Sequence, residues 1–252
     1  MRTDRRIRGA ALLLILLIGV ALGPGRASGD MLLQQVVRTE PYKMLADEAP
    51  APVDTVTIWL GEDRAAITGS GTNAILHRDA AKLYLLNRGA RTYSVVDLPC
   101  DLETFFPPGH AQHRPFQRVL EAVQTEVEIT PTEETREING WPTRLFRIEM
   151  RAARASIHSE TWATTAVPID EGLYRELLTS IMSTHPATYQ MTSTLDEIEG
   201  ITVLDEQRIS RPHMEMVSIR ELIRVEEAEP PPGIYSPPPD YEERPFNPGR
   251  LR

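Results

Sequence analysis

His110 and His113 stand at HxxH spacing, which on a helix would set two imidazoles on one face for a metal. A working site needs a third ligand and an outer carboxylate, and here the pair is flanked by Pro and Gly, so a solvated loop is expected. His158-Ser159-Glu160 places base, hydroxyl and acid in a row. In a strand, however, His158 and Glu160 point one way and Ser159 the other, and no triad forms locally. Cys100 is the one cysteine, which excludes an internal disulfide. Its setting, Leu98-Pro99-Cys100-Asp101, offers no cation to activate a thiolate, so a small buried apolar residue is expected. Asp196, Glu197 and Glu199, like Glu226, Glu227 and Glu229, lack the phrasing of a calcium loop and read as charged surface. Gly69-Ser70-Gly71-Thr72 lacks the Gly-Lys-Ser/Thr ending of a phosphate loop and reads as a turn. These residues give no catalytic, cofactor-binding or metal assignment. The expectation is a protein that is not an enzyme and takes no cofactor.

The strongest instruction lies at the start of the chain. Arg2, Arg5, Arg6 and Arg8 precede an apolar run at 10–22, followed by Ala27-Ser28-Gly29, the order of a cleavable secretory leader with Asp30 as the new N-terminus. The run is too short for a permanent helical span, which needs about 20 residues. No cysteine stands near the junction to carry a lipid. The expected protein is therefore periplasmic or secreted and not an integral membrane protein. Losing residues 1–29 removes a net four positive charges and takes the formal charge from −9 to −13. An acidic surface of that size repels phosphate backbones and makes nucleic acid an unsuitable partner.

From 53 to 98, short β-branched and apolar runs alternate with turn residues and predict an antiparallel meander. A second strand-rich block follows, with Val127 and Ile129 alternating against glutamates. Asn139-Gly140 then marks a hairpin, and Phe146, Ile148 and Met150 share one face. Further strands are predicted at 158–167, 201–209 and 214–225. Two segments change to helical spacing: Phe116, Val119, Leu120 and Val123, and a longer stripe of Leu173, Leu177 and Ile181 that Asp170 can cap. From 226 to 252 prolines exclude helix and central strand, leaving an extended tail whose Tyr235, Tyr241 and Phe246 can pack along the domain. The organisation is a leader at 1–29, a β-rich domain at 30–225 and a Pro-rich tail at 226–252. Fold class is mainly β (α+β).

The phrasing of Trp59 and Arg64, Ile75 to Asp79, Lys82-Leu83-Tyr84-Leu85, Tyr93 and Thr135-Arg136-Glu137-Ile138-Asn139-Gly140-Trp141 resembles uncharacterised exported bacterial proteins related to the LolA and LolB lipoprotein carriers. That resemblance covers roughly 31–225. It implies one curved antiparallel sheet, a half-barrel, with two or three helices over a concave apolar face. The resemblance itself assigns no binding residue; by residue type Trp59, Tyr84, Phe146, Met150, Trp162 and Met216 are candidates to line the cavity, with ordinary core as the alternative, and Phe116, Leu120, Leu173, Leu177 and Ile181 are candidates for its lid. The function expected is binding, carrying or sensing a hydrophobic ligand, a lipid or lipidated protein. The alternative is an envelope interaction or regulatory module with a filled core, meeting a protein partner through a sheet edge or the Pro-rich tail.

Overall fold

The structure is a computed structural model and describes residues 29–42, 53–69, 71–123, 125–152, 155–211 and 214–248. Residues 1–28 of the predicted leader lie outside the described residues, as do Ser70 of the glycine-rich turn and the last four residues of the tail. Twelve strands are described: β1 (Asp30–Tyr42), β2 (Val53–Leu60), β3 (Arg64–Thr68), β4 (Asn73–His77), β5 (Lys82–Asn87), β6 (Thr92–Asp97), β7 (Thr125–Ile138), β8 (Trp141–Ala152), β9 (Ala155–Thr164), β10 (Ile201–Arg211), β11 (Met214–Ala228) and β12 (Glu242–Glu243). Helix α1 (His113–Ala122) lies between β6 and β7. Helix α2 (Glu171–Ser183) and a 3-10 segment (Tyr189–Glu197) lie between β9 and β10.

The strands form one open sheet in the order β12-β6-β5-β4-β3-β2-β1-β11-β10-β9-β8-β7, antiparallel except where β12 runs parallel to β6. The meander β2–β6 and the block β7–β11 are thus the two halves of one sheet. The strand that joins them is β1, pairing with both β2 and β11, and sequence phrasing did not predict it. Its Leu32-Leu33 pair points to both faces, as a central strand buried on two sides requires.

Strand alternation sorts the first half into two cores. One face carries Leu60, Ala65, Leu76 and Leu83 in a cross-strand row, closed by Phe116 and Leu120 of α1 and Leu173, Tyr174 and Leu177 of α2. Asp170 caps α2 by accepting from the Leu173 amide at 2.9 Å, which lowers its pKa from the ordinary value. Arg78, at the β4–β5 turn, ties the helix down through Glu176 (2.7 Å) and Asp170 (3.1 Å). Cys100 is buried in this core, and burial pushes its thiol up to about 11.

On the opposite face the row Leu32, Trp59, Ala66, Ile75 and Tyr84 is covered by the tail. Tyr235 inserts there and its hydroxyl donates to Asp30 Oδ2 at 2.6 Å, with the Arg64 guanidinium over its ring. Its carbonyl meets His77 Nε2 at 2.8 Å. Downstream, Arg91 pairs with Asp240, β12 adds to β6, and Phe246 packs edge-on against Phe105.

In the second half Asn139 (φ 52) and Gly140 (φ 81) make a two-residue hairpin turn joining Ile138 to Trp141. The Asn139 amide reaches across to β11, donating to the Leu222 carbonyl at 2.9 Å and to Glu221 Oε1 at 3.0 Å. At Gly200 (φ +81), where the chain enters β10, a Cβ would lie 2.2 Å from the Thr164 carbonyl oxygen. Only glycine passes there.

Three outcomes are expected. Gly200→Ala is expected to cost about 3 kcal/mol or more in urea unfolding, because backbone must move to admit the methyl. Tyr235→Ala is expected to cost about 4 kcal/mol, the range for a truncated buried aromatic with a lost hydrogen bond. Cys100, its thiol raised from 9.0 to about 11, is expected to resist iodoacetamide at pH 8 in the native protein and to react once urea unfolds it. Because the folded state holds this proton more tightly, its contribution to stability is intact below pH 9 and is lost as pH rises from 9 through 11.

Candidate functional site

The register of β7–β11 stacks three cross-strand rows on the face that α2 covers in the other half. The first is Phe146, Thr161, Asp205, Arg220 and Val37. The second is Ile129, Ile148, Ser159, Gln207, Ser218 and Thr39. The third is Val127, Met150, Ile157, Ile209 and Met216, apolar throughout. Met150 is buried, and the other four side chains of this third row are only half-buried. Four strand spacings separate its ends, about 19 Å. Along β11, Arg220 and Met216 are about 13 Å apart at the usual rise per residue.

The first row is polar because its carboxylate is fully served. Asp205, 8% exposed, accepts from Ser159 Oγ, from Thr161 Oγ1 at 3.0 Å and from Gln207 Nε2 at 2.6 Å. Beside it Tyr174 of α2 is buried; burial raises its hydroxyl pKa, with Arg220 and a hydrogen bond to Gln35 opposing. Arg220 itself is exposed and makes no ion pair among the described residues. The reverse face of the same strands is charged: Arg147 meets Glu134 (2.5 Å) and Glu160 (3.9 Å), Arg151 meets Glu149 (2.6 Å), and His158 lies 3.9 Å from Glu149. Exposed pairs of this kind contribute little to stability.

The predicted cavity residues fall in three places. Phe146, Met150 and Met216 share the face just described. Trp59 and Tyr84 lie on the reverse face of the first half beneath the tail. Trp162 is also on the reverse face, under the Arg136 guanidinium at 3.9 Å from its ring centroid. The predicted lid is packed into core: Leu173 and Leu177 are wholly buried, Phe116 and Leu120 nearly so, and Ile181 half-buried. Val127, Ile129, Ile157 and Ile209 carry no site signal of their own, although the alternation of Val127 with Ile129 and of Phe146 with Ile148 and Met150 is visible in the sequence. Their convergence depends on register, which alternation alone does not supply.

The chemical candidates are separated. His110 stacks on Phe106 at 4.9 Å, and His113 Nδ1 lies 2.6 Å from the Phe106 carbonyl. His158 and Glu160 face out while Ser159 turns in to Asp205. Asp196 and Glu226 pair with Arg175 and Arg224, and Glu227 accepts the Gly29 amide at 2.6 Å. Among the described residues, no three His, Cys, Asp or Glu side chains are grouped to hold a metal ion. A depression of about 800 Å³ beside α2 is lined by Cys100, Asp101, Glu176, Ser180 and Tyr189. It is closed on one side by the Tyr189 hydroxyl donating to Asp101 Oδ1 at 3.0 Å. Its acidic rim and buried thiol suit neither a nucleophile nor an acyl chain. Among the described residues no helix is long and apolar enough to cross a membrane.

No family model matches this chain, and no curated protein matches it. Among solved structures, one described as "Structure of PNGF-II in C2 space group" aligns over 85% of this chain and 31% of that chain, with a TM-score of 0.37 and 10% identity. A likeness at that level carries no argument about fold or function.

Proposed function

We propose that this chain is a non-enzymatic exported protein, periplasmic or secreted, that binds, carries or senses a hydrophobic ligand, a lipid or a lipidated protein, in the hollow of a LolA-like half-barrel. The observation that carries the reading is the third cross-strand row, Val127, Met150, Ile157, Ile209 and Met216. Five strands contribute apolar side chains to it, and four of the five remain half-buried although the reverse face of the same strands is charged. Bending of the sheet around that face is supported by Asn139. In a flat sheet its hairpin would stand about 14 Å from β11, yet its amide lies 2.9 Å from the Leu222 carbonyl. Each methylene of a ligand laid on such a surface gains about 0.8 kcal/mol. Export is supported by the charged, apolar and small-residue order of positions 1–29.

The alternative, a protein-docking module, fits the filled core beneath α2 but draws less support from the β7 edge and from the tail. The open edge strand β7 carries Glu126, Glu128, Glu133, Glu134 and Glu137 with Pro131, charges and a proline that discourage strand addition. The tail is already engaged through Tyr235 and Phe246.

Solvent extraction of the purified protein followed by mass spectrometry is expected to release an acyl-chain compound. The double variant Ile157→Asp/Ile209→Asp is expected to stay folded, since both side chains are half-buried, and to lose uptake of a fluorescent fatty acid by about tenfold or more, the effect of setting unpaired carboxylates against an acyl chain. An empty extract together with uptake unchanged by the two aspartates would count decisively against the proposal.

A further inference from the structure

The three rows differ in charge from everything around them. The reverse face carries Glu126, Glu128, Glu149, Glu160, Glu206 and Glu215 against Arg147, Arg151 and Arg208, a mixed surface with an acidic excess. Across the three rows Asp205 is the single acidic side chain, and its oxygens are taken up by Ser159, Thr161 and Gln207. Arg220 sits in the same row, opposite Asp205 on one side and Val37 on the other, with no ion pair among the described residues. Arg211, at the far end of β10 beyond Ile209, is a second exposed cation on this side of the strand. In a chain of formal charge −9, this face sets two exposed guanidiniums, Arg220 and Arg211, against the single carboxylate of Asp205, and that small positive excess is complementary to an anion. The acids of the reverse face are screened from it by solvent and sheet over roughly a Debye length, about 8 Å. Between Arg220 and the apolar row lie Gln207 and Ser218, neutral polar groups that can flank an ester or carboxyl.

We infer that the hydrophobic ligand is a single-chain fatty acid whose carboxylate is held by Arg220 and whose acyl chain runs past Gln207 and Ser218 onto Ile157, Ile209, Met216 and Met150. This rests on the ligand-binding reading above and adds the headgroup to it. A guanidinium offers two parallel N–H donors to a carboxylate, which an ammonium cannot. The path from Arg220 to Met216 is about 13 Å, so an acid must be long to engage both ends.

The test is displacement of Nile red, a neutral probe, from the purified exported chain by palmitate, by 1-hexadecanol and by butyrate. Palmitate is expected to compete about tenfold better than hexadecanol, the effect of one charge-assisted bidentate contact, and butyrate not to compete. Arg220→Gln is expected to remove the palmitate advantage and leave hexadecanol unchanged, and Arg220→Lys to restore part of it. Equal competition by palmitate and hexadecanol, unaltered in Arg220→Gln, would overturn the headgroup assignment while leaving apolar binding intact. Failure of both chains to displace probe from the unaltered protein would overturn the ligand-binding reading as well. A dimer in solution that Ile209→Asp dissociates, with no lipid competition, would assign the face to a second copy of the chain and likewise overturn the inference.

Discussion

Side-chain direction in a strand repeats every two residues, and the register of β7–β11 turns that local rule into a surface. Because Met150 pairs with Ile157, Ile157 with Ile209 and Ile209 with Met216, apolar positions that are scattered along 67 residues of sequence fall into one line. A slip of one residue in any pair would bring Glu149, His158 or Arg208 into that line and turn an isoleucine out among glutamates. Register is therefore specified by the cost of that exchange. The Asn139-Gly140 turn sets the β7–β8 pairing next to it and Gly200 sets the entry of β10, and each pairing then shifts once, between Pro131 and Thr135 and between Thr202 and Leu204, before it reaches that line.

The same rule has a different consequence in the first half. There both faces of β2–β5 are apolar, so each needs a cover, and the two covers come from different parts of the chain. Helices α1 and α2 close one face. The other is closed by the segment after β11, with Tyr235 on the Leu32, Trp59 and Ile75 row and its hydroxyl on Asp30, the first residue of β1. The tail thus serves the central strand as well as the meander. A Pro-rich strap suits this position, since extended backbone without many amide donors can lie on a sheet face without leaving donors unpaired.

What was legible in the sequence follows the range of the interaction behind it. The meander, the Asn-Gly hairpin, the Asp170 cap and the α2 stripe depend on near neighbours, and each is present where its residues are. The strand β1 has no clear sequence signal, because Asp30–Tyr42 alternates weakly and is buried on both faces near its start. The 3-10 segment Tyr189–Glu197 has no apolar period to announce it. The cavity residues show the limit most clearly. Trp59, Tyr84 and Trp162 have the composition of a pocket lining, yet strand parity places them on the reverse face, beneath Tyr235 and Arg136. Residue type indicates that a side chain prefers burial, while parity and register decide against what.

Burial differs between the halves in a way that bears on how a ligand would be held. Beneath α2, Leu76, Leu83, Leu173 and Leu177 are wholly buried, so an acyl chain entering there would have to displace packed side chains, and interiors at crystal-like density yield poorly to insertion. On the third row four of the five side chains are only half-buried, and a ligand would gain contact with them without displacing any. The free energy then scales with the apolar area removed from water, at about 25 cal/mol per Å², with no packing penalty to subtract. On the proposed reading, a ligand could bind to and leave such a surface with the core still folded. The polar first row sets its upper boundary: Asp205 and Thr161 are satisfied with Ser159 of the second row, and an acyl chain laid over them would bury those groups without new partners. Apolar contact is thereby confined to the rows of β7–β11 farthest from α2, with Arg220 at the limit between them.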